Sequence, residues 1–99
     1  MYWVAEENSE VVGFISCHVQ QLLHHAGKVG EITELFVAEN YRNKGIGYAL
    51  VKIIVDYALQ HDFKCLEVTT NRQRIANVAI YERYGFELTH HKLVNRLIQ

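Results

Sequence analysis

The stretch Glu31-Ile-Thr-Glu-Leu-Phe-Val-Ala-Glu-Asn-Tyr-Arg-Asn-Lys-Gly-Ile-Gly-Tyr-Ala-Leu50 decides the fold. Its first part is a short apolar run, rich in strand-forming residues, that ends at Val37, and its last part opens an apolar segment with helical spacing. Between them, residues 42–47 are Arg-Asn-Lys-Gly-Ile-Gly, with two cations and two glycines. Glycines let a backbone approach a ligand closely, and the first N–H groups of a helix lack intrahelical acceptors. The pattern therefore predicts an anion at a strand-to-helix turn.

The composition limits the classes of protein to which the chain can belong. Its 99 residues are 49% hydrophobic and 21% charged, which is typical of a single folded domain over 1–99. The net charge of -1 provides no field to attract nucleic acid or an anionic membrane, and no apolar run approaches the roughly 20 residues of a membrane span. We therefore expect a cytoplasmic protein with no nucleic-acid partner and no membrane partner.

The cysteines and histidines do not have the spacing of a metal site. Cys17 and Cys65 stand alone in two apolar, strand-like runs, so we expect two reduced core thiols in place of a disulfide. His24-His25 and His90-His91 are adjacent pairs, and adjacent side chains on a strand point to opposite faces. We predict no metal, with these histidines in turns and at the surface.

The periodicity of the chain predicts a mixed, mostly antiparallel sheet with two helices, an α/β (α+β) fold. The predicted strands are 2–5, 11–23, 30–37, 65–70 and 86–97, and the predicted helices are 46–60 and 75–84. Short turns make the first three strands antiparallel, whereas the long helix between the third and fourth implies a right-handed parallel crossover. Gly85 would stop the second helix in a left-handed conformation.

The long predicted helix is apolar around most of its circumference. Ile46, Leu50 and Ile53 recur at helical spacing, and one polar stripe is formed at i, i+4 and i+8 by Lys52, Asp56 and Gln60. We therefore expect this helix to lie across the sheet and to be packed on most of its sides.

Two motifs together resemble the GNAT superfamily of acetyl-CoA-dependent N-acetyltransferases. They are Arg42-x-x-Gly45-x-Gly47 after a strand and Tyr81-Glu-Arg-Tyr-Gly-Phe86 downstream, at the spacing found in that family. The resemblance implies the acyl-CoA N-acyltransferase (GNAT) fold, here truncated at the N-terminus, because the family has a strand and two helices before the point where this chain starts. It also implies acetyl-CoA as the cosubstrate, with the glycine loop around its pyrophosphate.

The expected cofactor contacts centre on Arg42 and Lys44, together with the backbone N–H groups through Tyr48. The resemblance adds Arg74 and Asn77, although many relatives carry alanine at the position of Asn77. The full expected set is Leu35, Phe36, Val37, Arg42, Asn43, Lys44, Gly45, Ile46, Gly47, Tyr48, Asn71, Arg74 and Asn77.

Two other interpretations of the glycine loop are weaker. A tight strand-to-helix turn without a ligand would not explain the two adjacent cations. A dinucleotide-binding turn would place Glu67 about twenty residues after Gly45-x-Gly47. However, Leu50 occupies the position of the third glycine, and 99 residues cannot contain two mononucleotide-binding halves.

Acetyl transfer to an amine needs an acceptor for the amine proton and an acid for the departing thiolate. The resemblance assigns the acid to Tyr81, whose phenol, with a pKa near 10, is protonated at neutral pH; a core tyrosine is the alternative. For the base we prefer Glu34, then Glu31, with a surface salt bridge as the alternative. Three residues separate these two glutamates, so they share a face only if the strand contains a bulge. A backbone N–H near Phe36 or Val37 would stabilise the oxyanion.

The sequence thus predicts transfer of an acetyl group from acetyl-CoA to a primary amine. A small-molecule amine is favoured because residues 24–32 and Thr89-His-His-Lys-Leu93 are similar to aminoalkylphosphonate acetyltransferases, a branch of the superfamily. Without the elements that precede the first strand in relatives, apolar surface would stay uncovered, and we expect a homodimer. A non-catalytic acyl-CoA-binding module and the truncated core of a longer acetyltransferase are the alternatives.

Overall fold

The computed structural model describes residues 1–22, 27–69, 75–89 and 92–97. Within these ranges, six strands form one sheet, and two α-helices pack on it. The strands are β1 (Tyr2–Glu7), β2 (Glu10–Leu22), β3 (Gly27–Val37), β4 (Phe63–Thr69), β5 (Glu87–Thr89) and β6 (Lys92–Asn95). The helices are α1 (Ile46–Gln60) and α2 (Ile75–Arg83), and a 3-10 helix covers Glu39–Tyr41.

The strands follow the order β1-β2-β3-β4-β6-β5 across the sheet. β2 pairs antiparallel with both β1 and β3, whereas β3 and β4 are parallel neighbours joined through α1. The predicted parallel pairing of these two strands and the predicted fold class, a mixed and mostly antiparallel sheet with two helices, are therefore confirmed.

The end of the chain differs from the prediction. A single strand over 86–97 is wrong, because β5 and β6 fold back on each other with Leu88 opposite Leu93. No glycine or proline follows Gly85 in the sequence, so no turn residue marked the reversal. The reversal places β6 against β4, where the side chain of Leu93 is completely buried. The gain from that burial is about 1.5–3 kcal/mol.

Both helices pack on the same face of the sheet. We call this face, which carries Ile15, Ile32 and Leu66, the covered face, and the opposite face, which carries Phe14 and Phe36, the open face. The buried residues of α1 are Gly47, Leu50, Val51, Ile54 and Ala58. They form one cluster with the covered face, and the core of the described residues lies there.

The long helix is less buried than predicted. Its buried residues form one stripe, and Ile53 and Leu59 are exposed at 43% and 39%, so packing on most sides is wrong. The reason is that, among the described residues, the main contacts of this helix are with the sheet and α2, and the apolar residues on its other side stay in solvent. The predicted polar stripe is present, with Lys52 Nζ 2.8 Å from Asp56 Oδ2.

The two cysteines lie on opposite faces of the sheet. Cys17 is buried in the core cluster, as predicted, and burial raises the pKa of its thiol to about 11. Cys65 pairs in register with Val29 and is only half-buried, so its placement in the core was wrong.

The pairs His24-His25 and His90-His91 lie outside the described residues. In the described part of the chain no three His, Cys, Asp or Glu side chains cluster as metal ligands, and neither helix there has the length and apolarity for a bilayer crossing.

Candidate active site

The turn between β3 and α1 leaves backbone donors exposed at the head of the helix. Gly45 is the N-cap residue, with a left-handed φ of 82°, and no side chain caps this end. The first intrahelical bond runs from the N–H of Ala49 to the oxygen of Gly45, at 3.0 Å. The preceding N–H groups, from Ile46 to Tyr48, therefore have no intrahelical acceptor. A Cβ placed on Gly45 would meet no atom within 4 Å, so the space beside this turn is open.

A cavity of about 530 Å³ opens at this turn. It lies between the end of β3, the 42–47 loop and α2, and the close approach of the two helices at Gly47 and Ile80 forms part of its wall. Its lining contains many of the predicted cofactor residues: Leu35, Phe36, Val37, Arg42, Asn43, Gly45, Ile46, Gly47, Tyr48 and Asn77. The lining does not include Lys44, and Asn71 and Arg74 lie outside the described residues.

β3 and β4 separate next to this cavity. Their pairing ends at Ile32 and Val68, whereas β3 continues alongside β2 as far as Val37. The last residues of β3 therefore have β2 on one side and a gap on the other, and the gap opens toward the cavity.

The backbone groups of β3 alternate between β2 and this gap. The N–H of Ala38 donates to the oxygen of Val12 on β2, at 2.7 Å. Because antiparallel pairing alternates, the N–H of Phe36 also points toward β2. The polar groups of Leu35 and Val37 then point into the gap. Of the two positions named from the sequence for an oxyanion donor, the alternation favours Val37.

Two side chains bond to the carbonyl oxygens that point into the gap. Asn77 Nδ2 donates to the oxygen of Leu35, at 3.2 Å, and Arg42 Nε donates to the oxygen of Val37, at 3.0 Å. Side chains therefore donate to both carbonyl oxygens at the place where β4 no longer pairs with β3. Arg42 braces the loop in this way while it lines the cavity.

The second predicted cation has a different position. Lys44 Nζ lies 5.2 Å from the ring centre of Tyr41, in a cation–π contact outside the cavity lining. Tyr41 itself lines the cavity. The structure therefore brings Arg42 to the cavity and holds Lys44 beside it.

Tyr81 is fully buried under the cavity wall. It lies on α2, one residue after Ile80 and one turn after Asn77, both of which line the cavity. Its ring centre is 5.4 Å from that of Phe86. Burial raises the pKa of its phenol above the ordinary value, so the hydroxyl keeps its proton at neutral and moderately alkaline pH.

A bulge brings the two predicted base candidates onto one face. Cys17 pairs with Ile32 and Ser16 pairs with Glu34, so Thr33 is an extra residue in β3. Glu31 and Glu34 therefore both point to the open face. The sequence predicted a shared face only if the strand contained a bulge.

Neighbouring strands add further groups around these carboxylates. Glu31 is flanked in register by His18 on β2 and Glu67 on β4. Beside Glu34, the hydroxyls of Ser16 and Thr33 are hydrogen-bonded at 2.7 Å. The open face thus carries polar groups along the same strand whose end borders the cavity.

The comparisons with known proteins agree with this geometry. The sequence model of the Acetyltransferase (GNAT) family matches residues 1–86. The chain belongs to the GNAT acetyltransferase family.

Relatives of this GNAT chain include characterised and uncharacterised proteins. It is 38% identical over 96 residues to the aminoalkylphosphonate N-acetyltransferase of Salmonella typhimurium, across 97% of this chain and 62% of that protein. It is 40% identical over 70 residues to an uncharacterized N-acetyltransferase of Archaeoglobus fulgidus, across 70% of this chain and 48% of that protein. The chain therefore spans less than two thirds of the length of these relatives.

Solved structures with the same fold include GNAT enzymes. A chain of the NatC complex bound to Gag peptide and CoA superposes with a TM-score of 0.87 at 23% identity, over 98% of this chain and 71% of that one. A GNAT family acetyltransferase from Elizabethkingia anophelis with acetyl-CoA bound gives a TM-score of 0.79 at 22% identity, over 97% and 75%. These similarities show that the fold is the GNAT fold.

Sequence reasoning missed two residues in the lining of this GNAT cavity, Tyr41 and Ile80. Each directly precedes a residue of a motif, Arg42 in the glycine loop and Tyr81 in the second motif. Ile80 could have been found from helical spacing, because it lies three residues after Asn77 on the same side of α2. Nothing in the sequence pattern marked Tyr41.

Proposed function

We propose that this chain transfers the acetyl group of acetyl-CoA to the primary amine of a small molecule. The observation that carries the proposal is the uncapped head of α1, which opens onto the cavity beside the gap in the sheet. The diphosphate of the cosubstrate would accept hydrogen bonds from the N–H groups of Ile46, Gly47 and Tyr48. Hydrogen bonds to a charged acceptor contribute about 1.5–3 kcal/mol each. Three of them are comparable with the roughly 8 kcal/mol of a micromolar complex before entropy is deducted.

The arm of the cosubstrate, which is the chain that joins its diphosphate to the thioester, would lie along the gap. The N–H groups of Leu35 and Val37 point there, and the acetyl carbonyl oxygen would accept a hydrogen bond from Val37 as negative charge develops on it. Asn77, already bonded to the oxygen of Leu35, would present its own amide oxygen to the arm. Membership of the GNAT family supports acetyl-CoA as the thioester.

The chemistry would be direct attack. The amine nitrogen forms a bond with the thioester carbon, and the carbon–sulfur bond then breaks. Glu34, with Glu31 as the second candidate, takes the amine proton, and Tyr81 donates a proton to the departing sulfur. The raised pKa of Tyr81 supports a protonated donor, and Tyr81 lies on α2 one turn after Asn77, which lines the cavity.

The open face is the proposed side of entry for the amine, because both candidate bases point to it. The sequence identity of 38% to the aminoalkylphosphonate N-acetyltransferase of Salmonella typhimurium supports a small acceptor.

The homodimer is supported by exposed apolar side chains on the open face, those of Tyr2, Val4 and Phe36. The cytoplasmic location and the single domain over 1–99 stay predictions from the sequence.

The release of free thiol from acetyl-CoA, measured with a panel of small amines and with N-terminal peptides, tests the proposal. We expect thiol release with at least one small amine and none with the peptides. The binding-module alternative has its own outcome, in which acetyl-CoA raises the melting temperature but no acceptor releases thiol. An absence of any effect of acetyl-CoA would contradict both interpretations.

A further inference from the structure

A second cavity, of about 440 Å³, adjoins the first beyond the head of α1. It is lined by Tyr48, Arg83 and Tyr84, and Tyr48 also lines the first cavity. Neither Arg83 nor Tyr84 was among the residues expected to contact the cofactor. Both residues stand in the second motif, but the motif did not mark them as cofactor contacts. The second cavity continues the first, because Tyr48 lines both.

Arg83 is held in place at this cavity. Its Nη1 donates to Tyr48 Oη at 2.8 Å, and its Cζ lies 5.0 Å from the centre of the Tyr48 ring. A guanidinium has five N–H donors in a planar fork, and the bond to Tyr48 uses one of them. The other donors of this oriented cation remain for an anionic group of a ligand.

Two aromatic rings stand beside this cation. The ring centres of Tyr48 and Tyr84 are 6.1 Å apart, with their planes inclined at 54°. Lys52, one turn after Tyr48, is paired with Asp56 at 2.8 Å, so its charge is largely compensated. A cation next to aromatic faces suits a phosphate attached to a nucleoside.

The order of contacts along α2 matches the order of groups in coenzyme A. Asn77 contacts Leu35 at the gap, where the acetyl arm is placed. Ile80, three residues later, lies against Gly47 at the diphosphate end, and Arg83, three residues further, contacts Tyr48. In coenzyme A the phosphorylated adenosine follows the arm and the diphosphate, so it would arrive at the third contact.

We propose that Arg83, Tyr48 and Tyr84 bind the 3′-phosphoadenosine end of coenzyme A, with the Arg83 guanidinium on the 3′-phosphate and the tyrosine rings against the adenine. This inference rests on the proposed function, because it takes its ligand and its orientation from there. It makes Arg83 the residue that distinguishes coenzyme A from analogues without the 3′-phosphate.

Titration calorimetry with coenzyme A and with dephospho-coenzyme A tests this assignment. We expect the unmodified chain to bind coenzyme A about tenfold more tightly than dephospho-coenzyme A. In Arg83→Ala the preference should fall below about twofold, through weaker binding of coenzyme A with unchanged binding of dephospho-coenzyme A. The preference should also decrease at high salt, because an exposed charge pair is screened.

Two further variants make the experiment decisive. Lys28→Ala removes an equal charge at the other end of α1, where Lys28 Nζ lies 5.8 Å from the ring centre of Phe63, and it should keep the full preference. Arg83→Lys keeps the charge but loses the fork, and it should retain part of the preference. It also provides the test if Arg83→Ala does not fold.

The outcomes separate this inference from the proposed function. Equal affinity of the unmodified chain for the two ligands, or an equal loss for both ligands in Arg83→Ala, would overturn the 3′-phosphate site and leave the acetyltransferase proposal in place. Failure of the unmodified chain to bind either ligand would overturn both.

Discussion

The side-chain amide of Asn77 bridges the gap in the sheet, with its Nδ2 3.2 Å from the carbonyl oxygen of Leu35. This bond connects α2 to the end of β3 beyond Ile32, where the pairing with β4 stops. It therefore fixes the position of α2, which forms one wall of the cavity, relative to the end of β3.

Asn77→Ala should loosen this wall. The oxygen of Leu35, in a half-buried position, would lose its donor, and we expect the free energy of unfolding to fall by about 1 kcal/mol. The KM for acetyl-CoA should rise several-fold. Urea denaturation and initial rates measure the two effects. Gln21→Ala is the matched control, because Gln21 Nε2 donates to the oxygen of Gly27 at 2.9 Å in an exposed position. A loss in that variant as large as in Asn77→Ala would argue against a special role for the bridge.

Gly45→Ala should affect both stability and coenzyme A binding. A left-handed φ of 82° costs alanine about 1 kcal/mol, and relief of that strain would turn the N–H groups of α1 away from the diphosphate. Gly85→Ala is the control, since Gly85 has a φ of 91° and lies away from the cavity lining. Both variants should lose similar stability in thermal unfolding, but only Gly45→Ala should weaken coenzyme A binding in calorimetry. Equal binding by the two variants would count against the diphosphate position.

The features that the sequence predicted are local ones. The glycines, the arginine and the free N–H groups of the loop before α1 are neighbours in the chain, so their residue types alone indicated an anion-binding turn. The bulge at Thr33 depends on the pairing of β2 with β3, which is a long-range property that no local pattern encodes. The reversal between β5 and β6 lacked a turn residue, and the exposure of Ile53 depends on which side of α1 faces the sheet. Arg83 stands in the second motif, but the sequence did not mark it as a cofactor contact, because Tyr48, to which it donates, lies 35 residues away in the chain.

Tyr81→Phe tests the proposed acid. The variant removes the hydroxyl and keeps the ring packing on Phe86, so kcat should fall by about a hundredfold with little change in the KM for acetyl-CoA. Because the pKa of Tyr81 is raised by burial, its deprotonation should not reduce the rate of the unmodified enzyme up to about pH 10. Tyr57→Phe is the control and should keep kcat, because the Tyr57 ring, in the last turn of α1, stacks on His61 away from the cavity lining. Full activity of Tyr81→Phe would exclude the phenol as the acid.

Glu34→Gln and Glu31→Gln test the two candidate bases, which the bulge at Thr33 places on one face. If Glu34 takes the amine proton, its replacement should lower kcat by about a hundredfold, whereas Glu31→Gln should change kcat far less. The rates are measured as thiol release with a saturating amine. The reverse result would transfer the role to Glu31, and an unchanged kcat in both variants would exclude both glutamates.

The buried thiol of Cys17 should make the fold less stable in alkali. Its pKa is about 11 in the folded chain, against 9.0 for an exposed thiol, so between these values the unfolded chain releases its proton first. Stability is therefore fully present below pH 9.0 and declines as the pH rises toward 11. The decline attributable to this thiol is at most about 2–3 kcal/mol. Urea denaturation at about pH 8 and about pH 10 measures it, and Cys17→Ala should be less stable at the lower pH but lose less on going to the higher one. An equal loss in both proteins would mean that other groups, including Tyr81, cause the alkaline unfolding.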